Sequence, residues 1–191
     1  MLHQRYTGTV MIDAGFFPKR VEPKPEYLHA PGVREICSVS NCISAGPEDW
    51  IHLWRHNDFG WFNLIADAVQ VVPTGHESEY RLFAYRLYPR IFTKDGPVPL
   101  PVPEDVNTEP IGAAFSTLGY DSASKSMESV LGLECSPLSC NSMAEEISAN
   151  EYCLFATLEE AIAAAARFAA EQPEPGDYYV IEVLERKLAD T

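Results

Sequence analysis

One eight-residue pattern occurs twice in this chain, and it limits the possible folds more than any other feature. Cys-Ser-Val-Ser-Asn-Cys-Ile-Ser at 37–44 matches Cys-Ser-Pro-Leu-Ser-Cys-Asn-Ser at 135–142. Cys37 aligns with Cys135, Ser38 with Ser136, Cys42 with Cys140 and Ser44 with Ser142, all 98 residues apart, and Glu48 and Glu146 extend the register. Downstream the separation becomes 93, pairing Phe62 with Phe155, Asp67 with Glu160, Ala68 with Ala161 and Tyr85 with Tyr178. A five-residue gap reconciles the two blocks. Repeated units bury their apolar faces against one another, so the pattern predicts two duplicated halves sharing one core.

Local signals fill in the halves. Pro97, Pro99, Pro101, Pro103 and Pro110 crowd one stretch. Proline lacks a backbone donor, so this stretch is expected to be extended and outside any ladder. It separates a first half, 1–96, from a second, 111–191, with 97–110 as connector. Aromatic and β-branched runs predict strands at 6–13, 33–40, 80–91, 115–126, 152–155 and 178–184, with a loop over 17–31. Short helices are expected after Pro47, carrying Trp50, Leu53 and Trp54, from Asn63 to Val69, and over 141–147. The strongest helix is 158–170, capped by Thr157, with Glu159 and Glu160 against its N-terminal dipole and four consecutive alanines at 163–166. Many strands and few helices give an α+β class with mostly antiparallel sheet.

Charge narrows the partners. Twenty-eight acidic against 14 basic residues leave a formal charge of -14, a field that repels phosphate backbones and anionic membranes. Nucleic acid and membrane are therefore excluded as expected partners. The acids are scattered, with short runs at Glu145-Glu146 and Glu159-Glu160, unlike the stripes that mimic a phosphate backbone. The first 13 residues lack the apolar run of a signal peptide, and no apolar run approaches about 18 residues. Five cysteines, an odd number, suit a reducing compartment, so the cytoplasm is the expected location. With 191 residues and 46% hydrophobic content, the core requires neither disulfide nor cofactor. A protein or a small-molecule ligand remains as partner, with the oligomeric state open.

Candidate chemistry gathers at the repeated element. Small hydroxyls, thiols and amides in turns can direct backbone N–H groups at an anionic ligand, which nominates Cys135, Ser136, Cys140 and Asn141. Alternation places Tyr120, Ser122, Ser124 and Ser126 on one strand face, where a row of hydroxyls can line a polar cleft. Arg86, with Arg90 nearby, is suited to a carboxylate or phosphate. Cys37, Cys42, His52 and His56 form a Cys, Cys, His, His series whose histidines lie four apart on the expected helix, where both can reach one zinc ion. A four-cysteine site drawn from both halves is the variant. Cys135 or Cys140 with His52 or His56 is the nucleophile-and-base alternative. Cys153 is expected in a core strand.

Two resemblances follow from the later residues. The run ECSPLSCNSMAEE, followed by EYCLF and PEPGDYYVIEVL, resembles a family of bacterial hypothetical proteins and implies no activity. CLFATLEEAIAAAARFA followed by DYYVIEVL is similar to ADP-ribosyltransferase-like domains. That likeness implies an enzyme acting on a nucleotide-like small molecule, with Arg86, Ser124 and Glu182 the nearest match to its catalytic set, at a spacing that departs from the family's. The leading expectation is a binding or regulatory module with a polar cleft beside the two Cys-Ser elements. Such an enzyme and a zinc-stabilised scaffold stand behind it.

Overall fold

The computed structural model describes residues 10–40, 42–47, 55–125 and 135–188. The aromatic and β-branched runs form four long strands: β1 (Ile12–Lys19), β4 (Arg81–Thr93), β6 (Ser116–Lys125) and β7 (Asp177–Lys187). They pair antiparallel in the spatial order β1-β4-β7-β6. β5 (Gly96–Pro99) adds to β4, while β2 (Glu22–Pro23) and β3 (Glu35–Ile36) form a separate ribbon. Helices α1 (Ile65–Gln70), α2 (Pro137–Cys140) and α3 (Leu158–Glu171) complete the described elements, apart from short 3-10 turns. The chain is α+β with antiparallel sheet, as expected, and none of these helices is long and apolar enough to cross a membrane.

β4 and β7 occupy the middle of the sheet because both their faces are apolar. Leu82, Phe83, Ala84 and Tyr85 in β4 are fully buried, as are Tyr178, Val180, Ile181 and Val183 in β7. Each such large side chain contributes on the order of 2 kcal/mol by leaving water. α3 forms for the reasons read in its sequence. The Thr157 hydroxyl accepts from Glu160 N–H while the Glu160 carboxylate accepts from Thr157 N–H, a capping box. Its inward stripe of Ala161, Ala164, Ala165, Phe168 and Ala169 lies against the sheet, with the Phe168 ring 5.6 Å from that of Tyr178.

Two turns of matched geometry cover the outer strands. Asn57 Nδ2 donates to Ala14 O, and its Oδ1 accepts from Phe59 and Trp61 N–H. Asn150, 93 residues on, donates to Leu118 O and accepts from Tyr152 and Leu154 N–H. The fourth residue of each turn is left-handed, Gly60 at φ 77° and Cys153 at φ 59°. Phe62 then bridges Phe16 of β1, and Phe155 bridges Tyr120 of β6. Close approach demands glycine beneath each turn: a Cβ on Gly15 would lie 2.5 Å from Trp61 Cβ, and one on Gly119 2.6 Å from Phe155 O. Both glycines adjoin a register shift, and the pairing runs Gly15–Tyr85–Val183–Gly119 straight across the sheet. Tyr85 therefore stands opposite Val183 in the equivalent row. The sequence match with Tyr178 slips because α3 is longer than α1.

Several local expectations shift. Residues 6–9 of the expected first strand lie outside the described residues; β1 begins at Ile12 and runs through Phe16 and Phe17, both buried, into the expected loop. The expected strand over 33–40 shortens to β3. α1 is capped at Leu64, because the Asn63 side chain is engaged with Asp105 O, Asn57, Asn107 and Thr108. Residues 152–155 make the asparagine turn, and the helix expected over 141–147 is replaced by α2 and a 3-10 turn. β5 enters a ladder despite its prolines. Leu100 N–H donates to Pro89 O, so Val98 and Leu100 direct their donors at β4, and Pro97 and Pro99, alternating with them, lie where no donor is needed. The helix expected after Pro47 falls on 48–54, outside the described residues.

Asn57→Ala leaves Ala14 O and two N–H groups without their partner, and Asn150→Ala does the same at the other turn. Each substitution is expected to cost about 2 kcal/mol. The turns share no partner, so the double variant should cost the sum within about 0.5 kcal/mol, measured by urea unfolding.

Candidate functional site

The polar interior is built around two charged side chains. Lys19, at the end of β1, is fully buried. Its Nζ donates to three successive carbonyls, Ser38 O at 2.8 Å, Val39 O at 3.2 Å and Ser40 O at 2.7 Å. Asp121, on β6, is equally buried and accepts from Val39 N–H at 2.9 Å, Ser122 N–H at 2.8 Å and the Ser136 hydroxyl at 2.6 Å. Burial lowers the Lys19 ammonium to about 7, opposed chiefly by Asp121. Burial likewise raises the Asp121 carboxyl, against the pull of Ser136, the two N–H groups and Lys19. A buried charge is tolerated only when its neighbours compensate it; here each is held by three hydrogen bonds, and the two favour each other's charged form.

These contacts bring the two Cys-Ser elements face to face. Ser139 Oγ donates to Ser38 Oγ at 3.1 Å, and Ser40 Oγ lies 3.4 Å from Cys140 Sγ. Ser40 Oγ also accepts from Cys42 N–H at 3.1 Å. The result is a cluster of Cys42, Cys135 and Cys140 whose sulfurs all lie within 4.8 Å of one another, Cys42 exposed and the other two half-buried. The five cysteines form no disulfide. Burial, reinforced by Cys140 and Cys42, pushes the Cys135 thiol above its ordinary range. Burial and Cys42 push Cys140 the same way, against the Ser40 hydroxyl. Two thiols that resist ionising, with the sulfur of Cys42 beside them, are a donor set that a thiophilic cation can satisfy.

Of the expected Cys37, Cys42, His52 and His56 set, the described members Cys37, Cys42 and His56 are not brought together. Cys37 is buried beside Glu35, its thiol 3.7 Å from the carboxylate, and burial raises it further. Its N–H is bonded to Tyr152 O, whereas Cys135 O accepts from Ser124 N–H, so the two matched cysteines have different backbone surroundings. His56 pairs with Phe62 in a backbone bridge and is outside the thiol cluster, and His52 lies outside the described residues. The four-cysteine variant came nearer, with one thiol from the first half and two from the second.

The described part of the serine row is sealed. Ser122 and Ser124 are buried, with hydroxyls that have no partner among the described residues; they stand beside Val180 and Tyr178 on the sheet face against which α3 packs, and Ser126 lies outside the described residues. The polar cleft expected there is interior instead. Ser136 is buried on Asp121, and Asn141 is exposed at the C-terminus of α2. Arg86 is committed within the sheet, its Nε to Asp13 at 2.8 Å, Nη1 to Glu182 at 3.2 Å and Nη2 to Ile111 O at 3.2 Å. Ser124 pairs with Tyr178 on β7, four residues from Glu182, so Arg86, Ser124 and Glu182 do not converge. A cavity of about 280 Å³ beside α3, lined by Phe155, Glu160, Ala163 and Arg167 among others, contains none of the expected site residues.

Lys19 and Asp121 were missed in the sequence, yet each leaves a trace there: a lysine ending the apolar run Gly-Phe-Phe-Pro-Lys, and an acid inside the strand Gly-Tyr-Asp-Ser-Ala-Ser. No protein-family model, curated protein or solved structure matches the chain, so the functional reading rests on these residues.

An amine whose pKa falls on folding leaves the native state with fewer protons than the unfolded chain, here between about 7 and the ordinary 10.5. Stability owed to Lys19 is therefore lowest below pH 7 and rises toward pH 10.5, by up to about 1.4 kcal/mol per unit. Lys19→Met lacks this titration. The stability of the native chain relative to that variant should increase from pH 6 to pH 9 in urea unfolding, and a constant difference would contradict the assignment.

Proposed function

We propose that this chain is a binding or regulatory module of a reducing compartment that holds one thiophilic metal ion, zinc foremost, through Cys42, Cys135 and Cys140. The observation that carries the reading is the gathering of three sulfurs within 4.8 Å of one another from segments more than 90 residues apart. A tetrahedral zinc site with Zn–S bonds of about 2.3 Å requires sulfur separations of about 3.8 Å, so closure by about 1 Å suffices. Thiolates prefer zinc and copper(I) to the hard cations, and exposed Cys42 leaves a route of entry. When bound, the metal would supply a covalent-like tie between the two halves.

Arg86 supports a metal rather than a nucleotide-like ligand, since two carboxylates and a carbonyl already engage it. The same proposal treats the halves as copies of one unit. The paired asparagine turns, with the glycine-adjoined register shifts beneath them, support that origin.

Reduced full-length protein, loaded with zinc under anaerobic conditions and desalted, should retain about one ion per chain, and Cys140→Ser should retain less than a tenth of that. Binding should release protons and tighten as pH rises, because each thiol must ionise to coordinate. Loss of zinc from the native protein on desalting, or full retention by Cys140→Ser, would defeat the proposal.

A further inference from the structure

We infer that Asp121 is the positioning residue of the thiol cluster, the buried carboxylate that bridges the Cys42 loop to the segment carrying Cys135 and Cys140. As a metal site the inference rests on the function proposed above; as a statement about thiol placement it stands on its own.

The two cysteine-bearing segments come from distant parts of the chain, and their described contacts are few. Asp121 is where both are held by one carboxylate: Oδ2 accepts from Val39 N–H in the first segment, and Oδ1 accepts from the Ser136 hydroxyl in the second. Asp121 is itself fixed. It sits on β6 opposite Ile181 of β7, is fully buried, and its Oδ1 is also bonded to Ser122 N–H. Lys19 completes the arrangement from β1, drawing the carbonyls of residues 38–40 inward. Those residues lead into Cys42, and Ser136 begins the turn that ends at Cys140. The carboxylate thus governs the distance of Cys42 from the other two sulfurs. Cys135 and Cys140, joined by the short α2, do not depend on it for their separation. That asymmetry makes the inference testable without a metal.

The test uses full-length native protein, Asp121→Asn, Ser136→Ala and, as a control for general destabilisation, Asn57→Ala. In the first measurement the metal-free, reduced proteins are treated with diamide. The reagent takes the hydrogens of two thiols and becomes the hydrazine as one disulfide forms, and the disulfides are mapped by peptide mass spectrometry. Native protein and Asn57→Ala should form disulfides of Cys42 with Cys135 or Cys140. In Asp121→Asn and Ser136→Ala the share of Cys42 disulfides should fall at least threefold relative to the Cys135–Cys140 disulfide. In the second measurement cobalt(II) is titrated, and the thiolate-to-metal charge-transfer intensity per bound ion should fall by about a third in Asp121→Asn, as three thiolates become two.

An unchanged Cys42 share in both Asp121→Asn and Ser136→Ala overturns the inference, as does an equal fall in Asn57→Ala. If Asp121→Asn does not fold, Ser136→Ala decides, because it removes one hydroxyl and leaves the carboxylate in place. If the native protein binds neither cobalt nor zinc while the diamide result is as expected, the metal reading fails and the positioning role of Asp121 stands.

Discussion

A lysine ammonium enclosed by three backbone carbonyls, with a buried carboxylate close by, is the interaction on which the rest of this structure depends. The sheet would form without it, since β4 and β7 have apolar residues on both faces. The segments that cover the sheet have no such advantage. Residues 38–40 are two serines flanking one valine, and all three are buried with their peptide groups. Buried carbonyls must find donors, and Lys19 supplies three at once. Asp121 answers the complementary need, accepting the N–H of the same loop and the hydroxyl of the opposite one. The thiol cluster is the surface end of this polar plug, so its geometry follows from ions that never touch solvent.

Much of the framework was legible in the sequence because it rests on local chemistry. The capping box at Thr157 and Glu160, the alanine stripe of α3 and the aromatic runs of β4 and β7 each depend on near neighbours in the chain. The Cys-Ser repeat correctly drew attention to the segments that meet. It did not reveal which sulfurs converge, because convergence depends on Lys19 and Asp121, which reach across 19 to 21 and 82 residues. Histidine spacing suggested a local metal set for Cys37 and Cys42, whereas the fold turns Cys37 toward Glu35 and leaves Cys42 to face the other half. Arg86 and the serines looked available in one dimension and proved committed or sealed in three.

The two asparagine turns are a more faithful trace of internal likeness than the cysteines that first suggested it. Asn-Asp-Phe-Gly-Trp-Phe at 57–62 and Asn-Glu-Tyr-Cys-Leu-Phe at 150–155 share an asparagine, an acid, an aromatic and a final phenylalanine. Each position has a separate duty: two acceptor bonds, a solvent-facing charge, a ring for the core, and a bridge to the outer strand. Conformation rather than composition explains the fourth position, where Gly60 and Cys153 both adopt a left-handed backbone. A β-carbon there is strained by about 1 kcal/mol relative to glycine, so the second turn holds its shape against a cost the first avoids.

The prolines of β5 have a consequence for the protein's behaviour in a crowded solution. β5 continues the β1 side of β4 beyond Leu87, where β1 pairing ends, and its outward positions are Pro97 and Pro99. An incoming strand from another molecule would find no N–H to accept from at either position. The edge next to the thirteen-residue, largely buried β4 is thereby closed to runaway sheet growth, and a chain so rich in aromatic strand sequence gains a built-in guard against self-association.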